Sequence, residues 1–447
     1  MCEYKLSKFN YLLNIVPNEY VIYNSLSKQI CKFNHEQFEY YKNFAEHGNF
    51  NMPNNIKENC IKNGFFVLID WDEDKIADFK HLEDIMDSRL DLIIMPTEQC
   101  NFRCKYCYEE FKKGKMTPNV QEGLVKYIKK NIYKHTALSV SWFGGEPLIA
   151  TDVIENLSQK FIEICHMRSI SYTSGMTTNG YNLTPEVLQT LLKYRVNTIQ
   201  VTLDGNEQNH NRLKVLQNGM PTFKRVMDNL KYIRDYCDKQ TINITIRTNV
   251  SFDLLDCLDE VIYMYSKEFG SDKRFSFFFR PVGDWGGDSV KELGQSVFKK
   301  EDYYKVYDKI AHSGIQLNYK LYNAELTKNI DVCYAARRHS YVVGSDGIVY
   351  KCSTIFNEPI NRVGALLDNG KIIFDIDKIA KWTMLSVEKN ENCSNCSIFG
   401  ACHNSACIAD QVRGKSEINC PHIKGNLDSI LYILSQDINY SKNIIEE

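Results

Sequence analysis

Between residues 90 and about 285 the chain alternates short apolar runs with longer stretches of helical period. Strands are predicted over 90–96, 138–143, 170–177, 198–203, 242–248 and 275–280. The clearest helices between them cover 120–133, 153–167, 185–194 and 223–237. Alternation of this kind predicts a parallel sheet with crossover helices. Six strands over about 195 residues fall short of the roughly 250 of a closed eight-stranded barrel. The expected fold class is therefore α/β, built on a partial, open-sided (β/α)6 barrel.

The pattern before residue 85 is different. Segments 11–16 and 20–24 flank Pro17-Asn18, a turn dipeptide, which predicts a β-hairpin. Asn34 is placed to cap a helix that carries Phe38, Tyr41 and Phe44 on one face and ends at Gly48. A second helix leads to Gly64 and the strand-like 65–69. Two strands, two helices and a strand resemble a small winged-helix module. Many such modules bind DNA, but residues 1–85 hold nine Lys, no Arg and thirteen acidic residues, a net charge of 9 − 13 = −4. That balance disfavours DNA. Beyond the barrel, the Gly-rich stretch 283–294 reads as a connector and a helix is expected near 302–311. A Cys-rich, loop-rich region then runs to Pro421, and a closing helix covers 427–435. The expected segments are 1–85, a barrel over 86–285, a connector over 286–330 and a Cys-rich domain over 331–447.

Composition narrows the function classes. With 43% hydrophobic and 25% charged residues the chain is ordinary for a globular protein, and 447 residues predict two or three domains. Lys plus Arg (54) nearly balances Asp plus Glu (56), which argues against a basic surface for nucleic acid or anionic membrane. No apolar run approaches the ~18 residues of a membrane span. The opening MCEYKLSKFN has no apolar signal-peptide core. A cytoplasmic location follows as the expectation, where thiols stay reduced. Sixteen cysteines in such a compartment point to metal ligation.

Those cysteines are not spread evenly. Cys100, Cys104 and Cys107 form one cluster, and Cys333, Cys352, Cys393, Cys396, Cys402, Cys407 and Cys420 crowd the last quarter. Cys2, Cys31, Cys60, Cys165, Cys237 and Cys257 stand singly among apolar or helical neighbours and read as small buried hydrophobes.

In parallel βα folds, catalytic groups gather where the strands end. Each predicted strand here leads into a polar or glycine-bearing element. In order these are the Cys100–Cys107 cluster, Gly144-Gly145-Glu146-Pro147, Thr178-Asn179-Gly180, Thr202-Leu203-Asp204-Gly205, Arg247-Thr248-Asn249 and Arg280-Pro281-Val282-Gly283. Three thiolates leave a tetrahedral zinc site one ligand short, so a zinc site needs a distant His. An iron–sulfur cluster with one open iron is the alternative.

Cys-x3-Cys-x-Tyr-Cys after the first strand, with Gly-Gly-Glu-Pro after the second, resembles the radical SAM superfamily, and the resemblance covers 90 to 285. It implies a 4Fe–4S cluster on Cys100, Cys104 and Cys107, with S-adenosylmethionine on the fourth iron. Reductive cleavage would then give methionine and a 5′-deoxyadenosyl radical that abstracts a substrate hydrogen. In that setting Gly144 and Gly145 allow close backbone approach to a ligand. Glu146 is a candidate for the methionine ammonium or an exposed helix-start carboxylate, and Tyr106 a candidate to pack on adenine. Asn179, Thr202 and Asp204 are rim candidates for the ribose and the carboxylate. Arg247 pairs either with the methionine carboxylate or with another side chain. Relatives carry an Arg ten or twelve positions after the Thr, where Arg212 and Lys214 both stand.

Cys333-x13-Gly347-x4-Cys352, then Cys393-x2-Cys396-x5-Cys402-x4-Cys407, then Cys420 resembles the seven-cysteine SPASM domain; structural zinc is the other reading of Cys-x2-Cys. The resemblance implies two auxiliary 4Fe–4S clusters, one on Cys333, Cys352 and Cys407 and one on Cys393, Cys396, Cys402 and Cys420. One spacing departs from the family, with four residues rather than three between Cys402 and Cys407. The eighth auxiliary position, six residues after the first cysteine, holds His339, which leaves either a His ligand or an open iron.

Radical SAM–SPASM proteins mostly modify peptides or proteins. The expectation is a maturase of ribosomally made precursor peptides that joins a Cys sulfur to a carbon, as in sactipeptides and ranthipeptides. The N-terminal module resembles the leader-recognition element of such enzymes, which binds a leader as an added strand; an accessory structural domain is the alternative. A flavodoxin- or ferredoxin-type protein would supply electrons. Other readings are an anaerobic sulfatase maturase forming formylglycine, carbon–carbon crosslinking, epimerisation, and a non-enzymatic iron–sulfur or zinc scaffold. Against the sulfatase maturase stand the 99 residues before Cys100 and Ser353, rather than Asp, after Cys352.

Overall fold

The computed structural model describes residues 3–48, 50–237, 242–283, 294–313, 332–385, 393, 395–402, 407–414, 420–421 and 423–436. The chain divides into two compact units. One comprises Met1–Ile85, Ile310–Cys333 and Met384–Glu447, the other Met86–Lys309 and Tyr334–Thr383.

In the first unit, β1 (Tyr4–Leu6) pairs with β5 (Phe66–Leu68), and β2 (Asn10–Val16), β3 (Glu19–Asn24) and β4 (Gln29–Asn34) form an antiparallel sheet in that order. Asn34 ends β4 and caps α1 (His35–His47). Its side chain accepts from the Gln37 amide, and Gln37 accepts from the Asn34 amide in return. Gly48 closes α1 in the left-handed conformation at φ 66°. Helices α2 (Asn54–Lys62) and α3 (Glu73–Ile85) complete this part. Its core joins Ile22, Phe33, Tyr41, Phe44, Phe65 and Phe66 with Cys31 and Cys60, so those two cysteines pack as hydrophobes. The expected hairpin, capped helix, second helix and strand are all present. β1, β4 and α3 are additional. β1 is too short to show a period, and β4 runs into the cap of α1 with no turn signal between them.

The second unit is a ten-stranded sheet in the order β13-β12-β10-β9-β8-β6-β14-β15-β16-β17. Its barrel strands are β6 (Leu90–Ile94), β8 (Ala137–Trp142), β9 (Ser171–Thr178), β10 (Val196–Thr202), β12 (Asn243–Val250) and β13 (Phe275–Pro281). All pair in parallel. Each predicted strand lies within two residues of an observed one at both ends. Between them run α4 (Pro118–Asn131), α5 (Thr151–Met167), α6 (Pro185–Lys193), α7 (Glu207–Leu213), α8 (Phe223–Tyr236), α9 (Phe252–Leu255) and α10 (Leu258–Phe269). Thr117 and Thr184 cap α4 and α6, each followed by Pro at the first helical position. Parallel pairing brings every strand's carboxyl end to one rim, where the motifs sit.

Residues 331–421 read as loop-rich, yet 340–374 carry four strands. β14 (Ser340–Val343) pairs in parallel with β6, and β15 (Ile348–Tyr350), β16 (Arg362–Leu366) and β17 (Ile372–Phe374) continue antiparallel. The helix expected at 302–311 is α11 (Tyr304–His312), and α12 (Ile376–Met384) follows β17. Most of the expected connector 286–330 lies outside the described residues.

The C-terminal part of the first unit contains α13 (Phe399–Cys402), α14 (Ile408–Val412) and α15 (Leu427–Ser435). Phe399 stacks on Phe9 at 6.4 Å, Ser25 Oγ donates to the Ser397 carbonyl at 2.6 Å, and Tyr11 donates to Asp428. No helix among the described residues is long and apolar enough to cross a membrane.

Candidate cluster and cofactor site

The cysteine loop is fixed by a short ribbon. β7 (Phe102–Cys104) pairs antiparallel with β11 (Lys214–Leu216), which sets Lys214 opposite Cys104, Val215 opposite Arg103 and Leu216 opposite Phe102. Phe102 is buried beneath it. The Lys105 amide donates to the Leu213 carbonyl and the Gln217 amide to the Asn101 carbonyl, so the ribbon is tied at both ends.

The Gly-Gly-Glu segment lies against the same loop. An added Cβ would stand 2.5 Å from the Thr97 carbonyl oxygen at Gly144 and 2.3 Å from the Gln99 carbonyl oxygen at Gly145. The close approach these glycines permit is to the chain's own backbone. Glu146 starts the 3-10 turn Pro147–Ile149, but it is buried rather than exposed. Its Oε1 accepts from the Leu148 amide (2.9 Å) and the Thr178 hydroxyl (2.7 Å), and its Oε2 from the Asn179 amide (2.8 Å). Burial raises its pKa, and these bonds pull the other way. The carboxylate thus ties the end of β8 to the end of β9. Asn179 in turn donates to Asn101 Oδ1 at 2.8 Å, beside Cys100.

Tyr106 has its hydroxyl bonded to buried Asp204. Asp204 Oδ1 also accepts from the Asn249 amide at 2.9 Å and from its side chain at 3.3 Å, and Asn249 Nδ2 reaches the Tyr106 oxygen at 3.1 Å. The Asp204 amide donates to His210 Nδ1 (3.1 Å), and His210 Nε2 meets Thr222 Oγ1 (3.0 Å). The Thr222 hydroxyl donates to the Lys214 carbonyl (2.7 Å). Because Lys214 pairs with Cys104, two residues before Tyr106, these contacts close a ring around the cysteine loop.

Thr202 Oγ1 donates to the Thr178 carbonyl at 3.4 Å, and the Thr202 carbonyl accepts from Lys214 Nζ at 3.3 Å. The structure separates the two basic candidates. Arg212 pairs with Asp253 at 2.7 Å on the surface, whereas Lys214 is 2% exposed, with its charge lowering the pKa of Cys104, Cys107 and Glu146. Arg247 is half-buried, and its Nε donates to Asn249 Oδ1 at 3.1 Å.

Three soft thiols carried on one short loop are donors of the kind an iron–sulfur cluster takes. Burial pushes Cys104 up to about 11 and Cys107 up to about 12, and raises Cys100 as well. Cys100 also feels the charge of Cys104 and Cys107, and Cys107 that of Cys104, so as free thiols they would stay protonated; bound iron would supply the charge that makes thiolates of them. Among the described residues no three His, Cys, Asp or Glu side chains converge as a single ion requires. Glu109, just past Cys107, is a further carboxyl in this region. Burial, with Glu98 and Glu146 adding, pushes it up to about 8.

In the first unit, Cys393 and Cys396 pack against Phe9, Leu26, Ala77 and Phe399, and Cys402 is buried with its charge felt at Tyr23. A cavity of about 420 Å³ lined by Tyr11, Cys396, Lys424 and Asp428 adjoins them. Cys333 belongs to this unit and Cys352 to the second. The ring of His339, just before β14, stands edge-on to His135 at 4.8 Å, and burial lowers its pKa to about 4.

The sequence reading missed His210 and Glu109, placed Asn249 in a rim motif without a role, and did not choose between Arg212 and Lys214. His210 follows Asp204-Gly205 closely, but only the fold shows that its ring nitrogens bridge two segments.

A thiol trio on the loop after the first strand, with a buried glutamate clamp after the second, defines an enzyme whose chemistry belongs to an iron–sulfur cluster and S-adenosylmethionine. Residues 94–260 match the family model of the Radical SAM superfamily. The chain thus carries a radical SAM domain over 94–260 ahead of a Cys-rich C-terminal region, and that domain implies S-adenosylmethionine and a 4Fe–4S cluster. It is 22% identical to the radical SAM cyclopropyl synthase TigE of Paramaledivibacter caminithermalis, covering 90% of this chain and 89% of that one. It is 23% identical to a cysteine-type anaerobic sulfatase-maturating enzyme of Clostridium novyi, over 76% of this chain and 92% of the other. Its fold is similar to that of anSMEcpe bound to AdoMet and the Cp18Cys peptide, with TM-score 0.62, 21% identity and coverage of 80% and 99%. It is also similar in fold to Streptococcus suis SuiB bound to its precursor peptide SuiA, with TM-score 0.52, 14% identity and coverage of 93% and 98%.

Proposed function

We propose that this enzyme matures a ribosomally made precursor peptide by joining a Cys sulfur to a carbon of another residue. The observation that carries the peptide-maturase reading is the likeness to a sulfatase-maturating enzyme over 76% of the chain, with a fold similar to that of SuiB bound to its precursor peptide over 93%. In this reading 86–285 is the radical SAM core and 286–330 a connector. Residues 331–447 form a SPASM domain with auxiliary clusters on Cys333, Cys352 and Cys407 and on Cys393, Cys396, Cys402 and Cys420. The small domain over 1–85 receives the leader as an added strand. A flavodoxin- or ferredoxin-type protein donates electrons.

When bound, the cluster and S-adenosylmethionine would supply the radical chemistry. The chain's own residues position that chemistry. Cys100, Cys104 and Cys107 hold the cluster, and Gly144, Gly145 and Glu146 press its loop against β8 and β9. Tyr106 holds the loop to Asp204, with its ring beside the cofactor. Asn179, Thr202 and Asp204 line the rim that takes the ribose, and Lys214 meets the methionine carboxylate.

The match to a cyclopropyl synthase over 90% of the chain favours carbon–carbon closure as a second reading. Anaerobic reconstitution with dithionite and S-adenosylmethionine tests both, with candidate peptides drawn from a search of the gene neighbourhood for short Cys-bearing reading frames. A thioether lowers the peptide mass by two hydrogens and blocks its Cys to alkylation. The same mass change with a reactive Cys selects the second reading. Iron near four rather than about twelve per chain would remove the auxiliary clusters.

A further inference from the structure

β10, β12 and β13 bury alternate residues under the helices, which leaves Thr202, Arg247, Asn249, Phe278 and Arg280 on the concave side of the sheet. Register places Arg247 beside Thr202 and Phe278, and Asn249 beside Arg280. Two guanidinium groups therefore share one side of the barrel mouth, where burial and the neighbouring Arg280 charge both lower the pKa of Arg247.

Arg247 is oriented rather than loose. Its Nε is held by Asn249 Oδ1, and Asn249 is itself fixed to Asp204 and Tyr106. Among the described residues Arg247 forms no ion pair with a carboxylate. Asp204, the anion that acts on it, already accepts from Tyr106 and twice from Asn249. Among the described residues, the opposite edge of the guanidinium, with both Nη groups, has no hydrogen-bond partner, and Nε alone is engaged. Lys214 already places one buried cation beside Cys104 and Glu146, so a single methionine carboxylate does not require Arg247 as well.

We infer that Arg247, with Arg280 next to it, receives a carboxylate of the peptide substrate close to the residue that is modified. A planar, always-charged fork takes a carboxylate through two parallel bonds, which fixes position as well as charge. An Asp or Glu side chain and the peptide's C-terminus offer the same chemistry. The inference rests on the peptide-maturase reading above.

The test uses the anaerobically reconstituted full-length enzyme and the Cys-bearing peptide that the search of the gene neighbourhood identifies as modified. Mass spectrometry locates the modified residue. Peptides with the nearest Asp or Glu changed to Asn or Gln, and a separate C-terminal amide, identify which carboxylate is read. The matching neutral peptide is expected to raise the peptide KM at least about tenfold with the unaltered enzyme. Arg247→Gln is expected to cause a similar loss with the acidic peptide and little further loss with the neutral one, and Arg247→Lys to fall between. Affinity for S-adenosylmethionine, measured by equilibrium dialysis, stays within about twofold.

Neutral peptides processed with unchanged KM overturn the inference, as does a loss of S-adenosylmethionine affinity in Arg247→Gln without a change in peptide KM. The peptide series needs no altered enzyme, so a poorly folding variant does not obscure the result. A peptide left unmodified while 5′-deoxyadenosine forms overturns the maturase reading and this inference with it. A peptide modified regardless of its carboxylates overturns this inference alone.

Discussion

Lys214 lies directly opposite Cys104 in the ribbon that carries the cluster motif, with its ammonium 3.3 Å from the Thr202 carbonyl at the end of β10. One side chain thus links the cysteine loop to the cofactor rim. Its charge also acts on the thiols it faces. Arg212, two residues earlier, points away to Asp253 on the surface.

Lys214→Gln is therefore expected to weaken S-adenosylmethionine binding at least about tenfold, while Arg212→Gln leaves it unchanged. The exposed Arg212–Asp253 pair contributes about 0–1 kcal/mol to stability. Equilibrium dialysis on both reconstituted variants checks this, and equal losses would remove the distinction between them.

Gly145→Ala tests the contact between the glycine pair and the cysteine loop. The new Cβ would meet backbone at 2.3 Å, where no flexible side chain can yield. Overpacking of this kind costs about 1–3 kcal/mol, and here it displaces the segment leading into Cys100. The expected outcome is a fall in iron content after reconstitution. Gly114→Ala, with nothing within 4 Å of its Cβ, is the control and keeps its iron.

The barrel was legible because each of its strands is long enough to show a period and two of the crossover helices begin at a recognisable cap and proline, at Thr117-Pro118 and Thr184-Pro185. The rim motifs followed from the strand ends. What was not legible depends on pairing between distant segments. β7 and β11 are three residues each and have no readable period, yet their register decides between Arg212 and Lys214. Glu146 read as a cofactor contact or an exposed cap because the sequence does not show that Thr178 and Asn179 would donate to it. In β14–β17 the short strands were lost among cysteines and turns, and only pairing with β6 reveals them.

Tyr106→Phe separates the ring from its hydroxyl. The ring remains beside the cysteines, and only the bond to Asp204 is lost. Stability should fall by about 1.5 kcal/mol, the low end for a bond to a charged acceptor, with iron content retained. Asp204→Asn should cost more, about 2–3 kcal/mol, because the charged acceptor serves Tyr106 and both nitrogens of Asn249. Urea unfolding of the reconstituted proteins measures both, and an Asp204→Asn loss no larger than that of Tyr106→Phe would contradict the assigned ring.

His210 gives the ring a pH dependence with a defined sign. Its Nδ1 accepts from the Asp204 amide, so the remaining proton sits on Nε2 and points to Thr222, whose hydrogen goes to the Lys214 carbonyl. A second ring proton would face the Asp204 N–H. Burial, with Lys214 adding, holds the folded pKa well below 6.5. The unfolded chain takes up a proton near pH 6.5 and the native state does not, so this group destabilises the fold as pH falls below that value and has no effect above it. Between pH 6.5 and 5 the loss should be about 1.5 kcal/mol. In His210→Gln the amide oxygen can still accept from Asp204, but nothing titrates. Its baseline stability is lower, and its profile over that interval should be flatter by the same amount. Urea unfolding at half-unit pH steps compares the two, and parallel profiles would show that His210 is protonated in the native state.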